Sequence, residues 1–121
     1  MNTHQEIKLL EDNAALKTKM AELGLRSKEF FKVDIGDVVL DAWMIKPINF
    51  DPQKKYPLLI HVYGEPAGST VQDNWGTGDN LWHQYLSNQL DYIVVSIDNR
   101  GTRVPRGRDF RKSIYRQIGL M

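Results

Sequence analysis

The sequence predicts an α/β fold with an unfinished layer: a leading helix, an antiparallel hairpin, then one strand–helix–strand crossover. Three observations predict it. The apolar period switches near Lys28 from helical spacing to β-prone runs. Two later runs, Tyr56 to Tyr63 and Tyr92 to Ile97, are apolar with almost no polar alternation, as in strands covered by helices on both faces. Between them lie a long small-residue loop and a helical stretch, the grammar of a βαβ unit with parallel strands.

The 121 residues suffice for one modest domain, and 41% hydrophobic with 26% charged residues is the balance of a globular chain. With no cysteine there is neither a disulfide framework nor thiolate chemistry. The apolar runs are too short to span a bilayer, and the first residues lack the basic and apolar regions of a signal peptide. These features predict a cytosolic chain, as a property of this segment rather than of a parent.

Residues 6 to 23 read mainly as helix, with Leu9, Leu16, Met20 and Leu23 along one face. Asp12 and Asn13 are N-cap residues before Ala14 and Ala15, so the helix proper starts there if Ile7 to Leu10 is a preceding strand. Gly24 supplies the stop. Phe30 to Val33 and Val38 to Ile45 flank Asp34-Ile35-Gly36-Asp37 and read as a hairpin. Pro47 ends it, and a polar connector containing Pro52 follows. The first buried-type strand then runs from Tyr56, with Pro57 tolerated near its start. Gly64 to Gly78 is the loop, and Asp79 to Leu90 the crossover helix, its Leu81, Trp82, Tyr85, Leu86 and Leu90 clustered on one side. After the second strand come a basic loop, Arg100 to Arg108, and a short helix, Asp109 to Gln117. About four strands and two or three helices do not complete a two-sided layer.

The loop after a parallel strand is where α/β sheets place ligands, which singles out Tyr63 at the carboxyl end of the first buried-type strand. An oriented phenol can donate a hydrogen bond to a developing oxyanion. Equally, such a tyrosine can cap the sheet edge and pack, and position alone leaves both readings open.

Three segments settle on a family: Leu10-Glu11-Asp12-Asn13-Ala14-Ala15-Leu16, Lys55-Tyr56-Pro57-Leu58-Leu59 and Val62-Tyr63-Gly64-Glu65-Pro66. With Asp98-Asn99-Arg100-Gly101-Thr102, Phe110 and Ile118-Gly119 following in order, the chain resembles the dipeptidyl peptidase IV branch of the prolyl oligopeptidase family. The resemblance runs from about residue 9 to the end. It implies a serine peptidase with an N-terminal β-propeller and a C-terminal α/β-hydrolase domain, many members releasing dipeptides after a penultimate proline. Residues 1–27 would be the propeller exit and connecting helix, and 28–121 the opening part of an incomplete α/β-hydrolase domain. Tyr63 would be the side-chain donor of the oxyanion hole. Glu65 departs from the pattern, standing where relatives often carry a small residue, a departure that bears on the local loop shape and not on the tyrosine.

The remaining catalytic groups are not found. None of Ser27, Ser69, Ser87, Ser96 or Ser113 sits in the Gly-x-Ser-x-Gly turn of a nucleophile elbow. The resemblance puts the serine, acid and histidine beyond Met121, and the propeller carboxylates that hold the substrate amine before Met1. The chain alone is therefore expected to be inactive. His61 reads as a core residue of its strand, His83 as partly solvated and His4 as part of a tail, so no metal site is predicted. Gly64-Glu65-Pro66-Ala67-Gly68 and Gly76-Thr77-Gly78 lack the lysine of a phosphate loop, so no nucleotide cofactor is expected.

Charge is uneven. Residues 1–98 carry 9 Lys/Arg against 14 Asp/Glu, and 99–121 carry 7 against Asp109 alone. Arg100, Arg103, Arg106, Arg108, Arg111, Lys112 and Arg116 read as a solvated face or as partners for carboxylates. Few aromatics interleave, so nucleic acid is not an expected partner. Trp43 is expected to pack across the hairpin, and Trp75 and Trp82 to anchor the loop and helix on the sheet. The partner implied by the resemblance is a peptide substrate of the complete enzyme, and a homodimeric parent in the periplasm, outside the cell or on a membrane anchor is compatible with it. The competing readings are a non-catalytic α/β interaction module and an unrelated esterase of the same fold.

Overall fold

The computed structural model describes residues 7–65, 67–75, 79–117 and 119–120. His4, Pro66, Gly76 to Gly78 and Ile118, each singled out above, lie outside the described residues.

Helix α1 spans Ala14–Glu22. The Asp12 carboxylate accepts the Ala14 N–H at 2.8 Å, so the first turn starts where the sequence places its cap. At the other end the Leu25 N–H reaches the Met20 carbonyl at 3.0 Å and the Gly24 N–H the Ala21 carbonyl at 3.0 Å. This is a Schellman stop, with Gly24 at φ 64° supplying the left-handed residue. Ile7 to Leu10 is not a strand and joins no sheet. The apolar stripe of α1 buries little: Leu16 and Leu23 are exposed and Met20 is half-buried, and among the described residues no helix or strand packs its backbone against α1.

Strands β1 (Glu29–Asp34) and β2 (Val39–Ile45) form the expected antiparallel hairpin, with Asp34 opposite Val39 and Glu29 opposite Met44. The Asp34 carboxylate accepts the Gly36 N–H at 2.8 Å, and Gly36 adopts φ 97°, the left-handed setting this tight turn needs. Strand β3 (Leu58–His61) runs parallel to β4 (Ile93–Asp98), and helix α2 (Asp79–Leu90) crosses over between them. The sheet order is β1-β2-β4-β3, with β2 antiparallel to β4. Helix α3 (Gly107–Lys112) starts two residues earlier and ends five residues sooner than the sequence predicts, continuing as turns.

The core lies between the sheet and α2: Trp43, Ile45, Leu86 and Val94, with Leu59, Val71 and Tyr92 at its margin. Strand β4 has the buried character its composition predicts, but β3 does not. It is an edge strand of four residues, and Leu58 and Ile60 remain more than half exposed because nothing described covers that face.

Helix α2 does not bury the side on which its apolar residues cluster. Leu86 is buried, but Leu81, Trp82, Tyr85 and Leu90 face out, while His83, Gln84 and Ser87 face in. The cause is a set of long-range backbone contacts. The Gln84 amide accepts the Arg26 N–H at 2.9 Å and donates to the Arg26 carbonyl at 2.6 Å. Asn88 donates to the Gly24 carbonyl at 2.9 Å. Pairing otherwise orphaned backbone groups of 24–26 outweighs the burial of a second apolar stripe on so thin a layer. Trp75 and Trp82 are accordingly exposed and anchor nothing on the sheet, Trp82 stacking on Tyr85 at 5.7 Å. No described helix is long and apolar enough to cross a membrane.

Candidate active site

Tyr63 follows β3 by two residues, and Asp98 ends β4. The carboxyl ends of two adjacent parallel strands thus open into one cleft of about 180 Å³, lined by Tyr63, Glu65 and Gly68 from the first loop and by Asp98, Arg100 and Thr102 from the second. This is where a parallel sheet is expected to receive a ligand.

The phenol is 63% exposed, so its hydroxyl is accessible, while its ring lies against the backbone of Gly68. A Cβ at position 68 would sit 2.4 Å from the ring, so glycine is required for this approach. The neighbouring Glu65 carboxylate, through a hydrogen bond and then through its charge, holds the Tyr63 pKa above the ordinary phenol value. The single phenol hydrogen is thus engaged by Glu65 and has to leave that carboxylate before it can be donated to an oxyanion. Replacing Glu65 with glutamine removes the charge and is expected to bring the ionisation down toward the free value of ~10. The difference in 295 nm absorbance against Tyr63→Phe reads this residue alone; a midpoint unmoved by Glu65→Gln would contradict the coupling.

Arg100, on the cleft wall, forms a bidentate pair with Asp37 of the hairpin turn, with N–O distances of 2.7 and 2.5 Å. Through that hydrogen bond the guanidinium lowers the Asp37 pKa. A carboxylate whose folded pKa lies below its unfolded value stabilises the fold above the unfolded pKa, near ~3.9. The contribution disappears as pH falls through the folded pKa. Asp37→Asn is therefore expected to melt below the parent chain at neutral pH and together with it at the acid limit. A gap of constant size across that range would rule the linkage out.

Gly101 makes the turn after β4, at φ 83°, and a Cβ there would lie 2.4 Å from Ile114. Beneath the Tyr63 loop, Lys28 lies 5.3 Å over the Trp43 ring and donates to the Gln72 carbonyl at 3.3 Å. Burial lowers the Lys28 pKa, opposed by the charge of Asp73. The Trp43 indole N–H donates to the Thr70 carbonyl at 2.9 Å, so Trp43 packs under the loop and α2 as well as standing opposite Phe30 in the hairpin. His61 meets His83 edge-on at 4.7 Å, and His83 is buried rather than partly solvated. Among the described residues no three His, Asp or Glu side chains gather as a metal site would need.

Ser69 and Asp98, which the sequence marks only as a serine outside any elbow and as part of a family motif, stand beside Tyr63 in this cleft. The signal available was a lone carboxylate ending an apolar strand, which must find donors if buried.

No family model matches the chain. It is 36% identical over 118 residues to bovine prolyl endopeptidase FAP and 34% identical over 124 residues to a probable dipeptidyl peptidase 4 of Emericella nidulans, covering 98% and 100% of this chain. The crystal structure of Porphyromonas gingivalis dipeptidyl peptidase 4 superposes with a TM-score of 0.80 at 36% identity, covering 96% of this chain. The chain is a homologue of one segment of the dipeptidyl peptidase 4 and FAP proteins. It spans 15% and 16% of the length of the two relatives and 16% of the Porphyromonas chain. Relative to that dipeptidyl peptidase 4 structure, the four-stranded sheet and its crossover are the shared architecture.

Proposed function

We propose that this chain is a segment of a serine peptidase that removes dipeptides with a penultimate proline from peptide N-termini, and that Tyr63 is its oxyanion-hole donor. The observation that carries the reading is the position of Tyr63: exposed and just beyond the carboxyl end of β3, in a chain homologous throughout to dipeptidyl peptidases. In α/β-hydrolases the loop after this strand supplies part of the oxyanion hole, and a hairpin followed by a βαβ crossover fits the opening of such a domain. Residues 1–27 then form the exit from a preceding domain and the connecting helix, and 28–121 the first part of the hydrolase domain. The free edge of β3 is available for the strand bearing the nucleophile elbow. Peptide is the partner on this reading, and a homodimeric parent is compatible with it.

Tyr63 polarises a carbonyl but cannot attack it, so the chain alone is inactive on this reading. The test is hydrolysis of a Gly-Pro chromogenic amide, by the pure chain and by Porphyromonas dipeptidyl peptidase 4 in which residues 28–121 replace the matching segment. The expected outcome is an inert chain and an active chimera that depends on Tyr63. Turnover by the pure chain above a boiled control overturns the inactive-segment reading, and a folded chimera indifferent to Tyr63 removes the tyrosine from the mechanism. A chain that is monomeric and melts cooperatively, beside an inert but folded chimera, favours the interaction-module reading.

A further inference from the structure

Asp98 is a buried carboxylate, 4% exposed, and among the described residues it forms no ion pair. A charge buried without a cation has to be met by hydrogen bonds. Among the described residues its donors all come from three consecutive residues of one loop. The Thr70 N–H donates to Oδ1 at 2.7 Å and the Val71 N–H to Oδ2 at 3.2 Å. The Ser69 hydroxyl donates to Oδ2, and the Thr70 hydroxyl stands 3.0 Å from Oδ1.

The Thr70 hydroxyl also lies 2.6 Å from the Ser96 hydroxyl, which donates to the His61 carbonyl at 2.8 Å. Each hydroxyl has one hydrogen. If Ser96 serves His61, then Thr70 serves either Ser96 or Asp98, and the Asp98 donors independent of that choice are Ser69 Oγ–H and the two amides. Indole donation from Trp43 to the Thr70 carbonyl completes the attachment. The segment 69–71 is thus fastened directly to β2 and β4, and reaches β3 only through the Ser96 hydroxyl. It follows directly on Gly68, whose backbone carries the Tyr63 ring.

We propose that Asp98 is the positioning residue of the Tyr63 site: by holding Ser69, Thr70 and Val71 it fixes Gly68, and Gly68 fixes the plane of the phenol. The inference deepens the oxyanion-hole reading of Tyr63 and rests on it for its catalytic meaning. Asp98 touches no reacting atom. Its action passes through four residues of loop, and the placement it controls is of the kind where an error of about 1 Å costs on the order of a hundredfold in rate.

The test is made on the full chain and needs no catalysis, so its failure is separable from failure of the peptidase reading. Asp98→Asn keeps the size of the side chain but replaces one acceptor oxygen with a donor. Two readouts are taken: amide hydrogen exchange at Gly68 to Val71, and the ionisation of Tyr63 by 295 nm difference absorbance against Tyr63→Phe in the same background. The charged groups facing the phenol from the lining loops are Glu65, Asp98, Arg100 and Arg103. Loss of the Asp98 charge acting directly and only electrostatically would lower the phenol midpoint while leaving exchange protection intact. Loss of positioning instead gives roughly tenfold or greater loss of protection at Thr70 and Val71, together with a midpoint that no longer responds to Glu65→Gln.

If Asp98→Asn does not fold, Ser69→Ala and Thr70→Val remove single donors and should reproduce the effect in part. Protection lost with an unchanged Glu65 response would show that Asp98 anchors the loop without positioning Tyr63. Unchanged protection in all three variants would overturn the inference outright.

Discussion

Tyr63→Phe, in the chimeric peptidase, is expected to lower kcat by a factor of about a hundred or more while leaving KM within a few-fold. The change deletes one oxygen. The ring keeps its seat on Gly68, so the loop is not disturbed, and the variant isolates the donor. A donor aimed at a developing oxyanion is worth roughly 2.7–4 kcal/mol in the transition state and much less against the neutral carbonyl of the ground state. That asymmetry is why kcat moves and KM does not. Steady-state kinetics on a Gly-Pro amide check it; a drop confined to KM would mean that Tyr63 binds substrate rather than stabilising the oxyanion.

The second large effect is on stability. Trp43→Ala is expected to cost about 3–5 kcal/mol, the range for removing a large aromatic from a core. Trp43 is 2% exposed and is the one side chain that joins the Ile45–Leu86–Val94 cluster, the Lys28 ammonium and the Thr70 carbonyl. Its removal opens a cavity and strands a carbonyl at once. A domain stable by about 5–15 kcal/mol loses much of its margin to such a change. Trp43→Phe, which keeps an aromatic ring but loses the N–H, should lie between the two. Urea midpoints measure the series, and an alanine variant matching the parent chain would place the core elsewhere.

The parts of the fold legible in the sequence are those fixed by near neighbours. The Asp34-Ile35-Gly36-Asp37 turn, the Gly24 stop and the span of α2 follow from residues within a few positions of one another. The position of Tyr63 was also legible, because a loop after a parallel strand has one place to go. What was not legible depends on partners far along the chain. Gln84 faces inward because it meets Arg26 across 58 residues, and with Gln84 inward Trp82 and Tyr85 face out. The apolar run around β3 correctly reports a strand suited to burial, but composition says what a strand prefers and not what lies over it. Asp98 was hidden for the same reason: its donors lie 27 to 29 residues earlier.

Among the described residues, helix α1 is hydrogen-bonded to the rest of the fold at one end only, where Gly24 and Arg26 are gripped by Asn88 and Gln84. Mechanically it is a cantilever. Its nine residues make an arm of about 13 Å, so a tilt of ten degrees at the root displaces the tip by about 2 Å. A load applied near Asp12 would arrive as torque on two amide side chains of α2, the same helix whose buried face roofs the core beneath the Tyr63 loop. The geometry gives the chain a handle: whatever holds the far end of α1 gains leverage over the helix that supports the cleft.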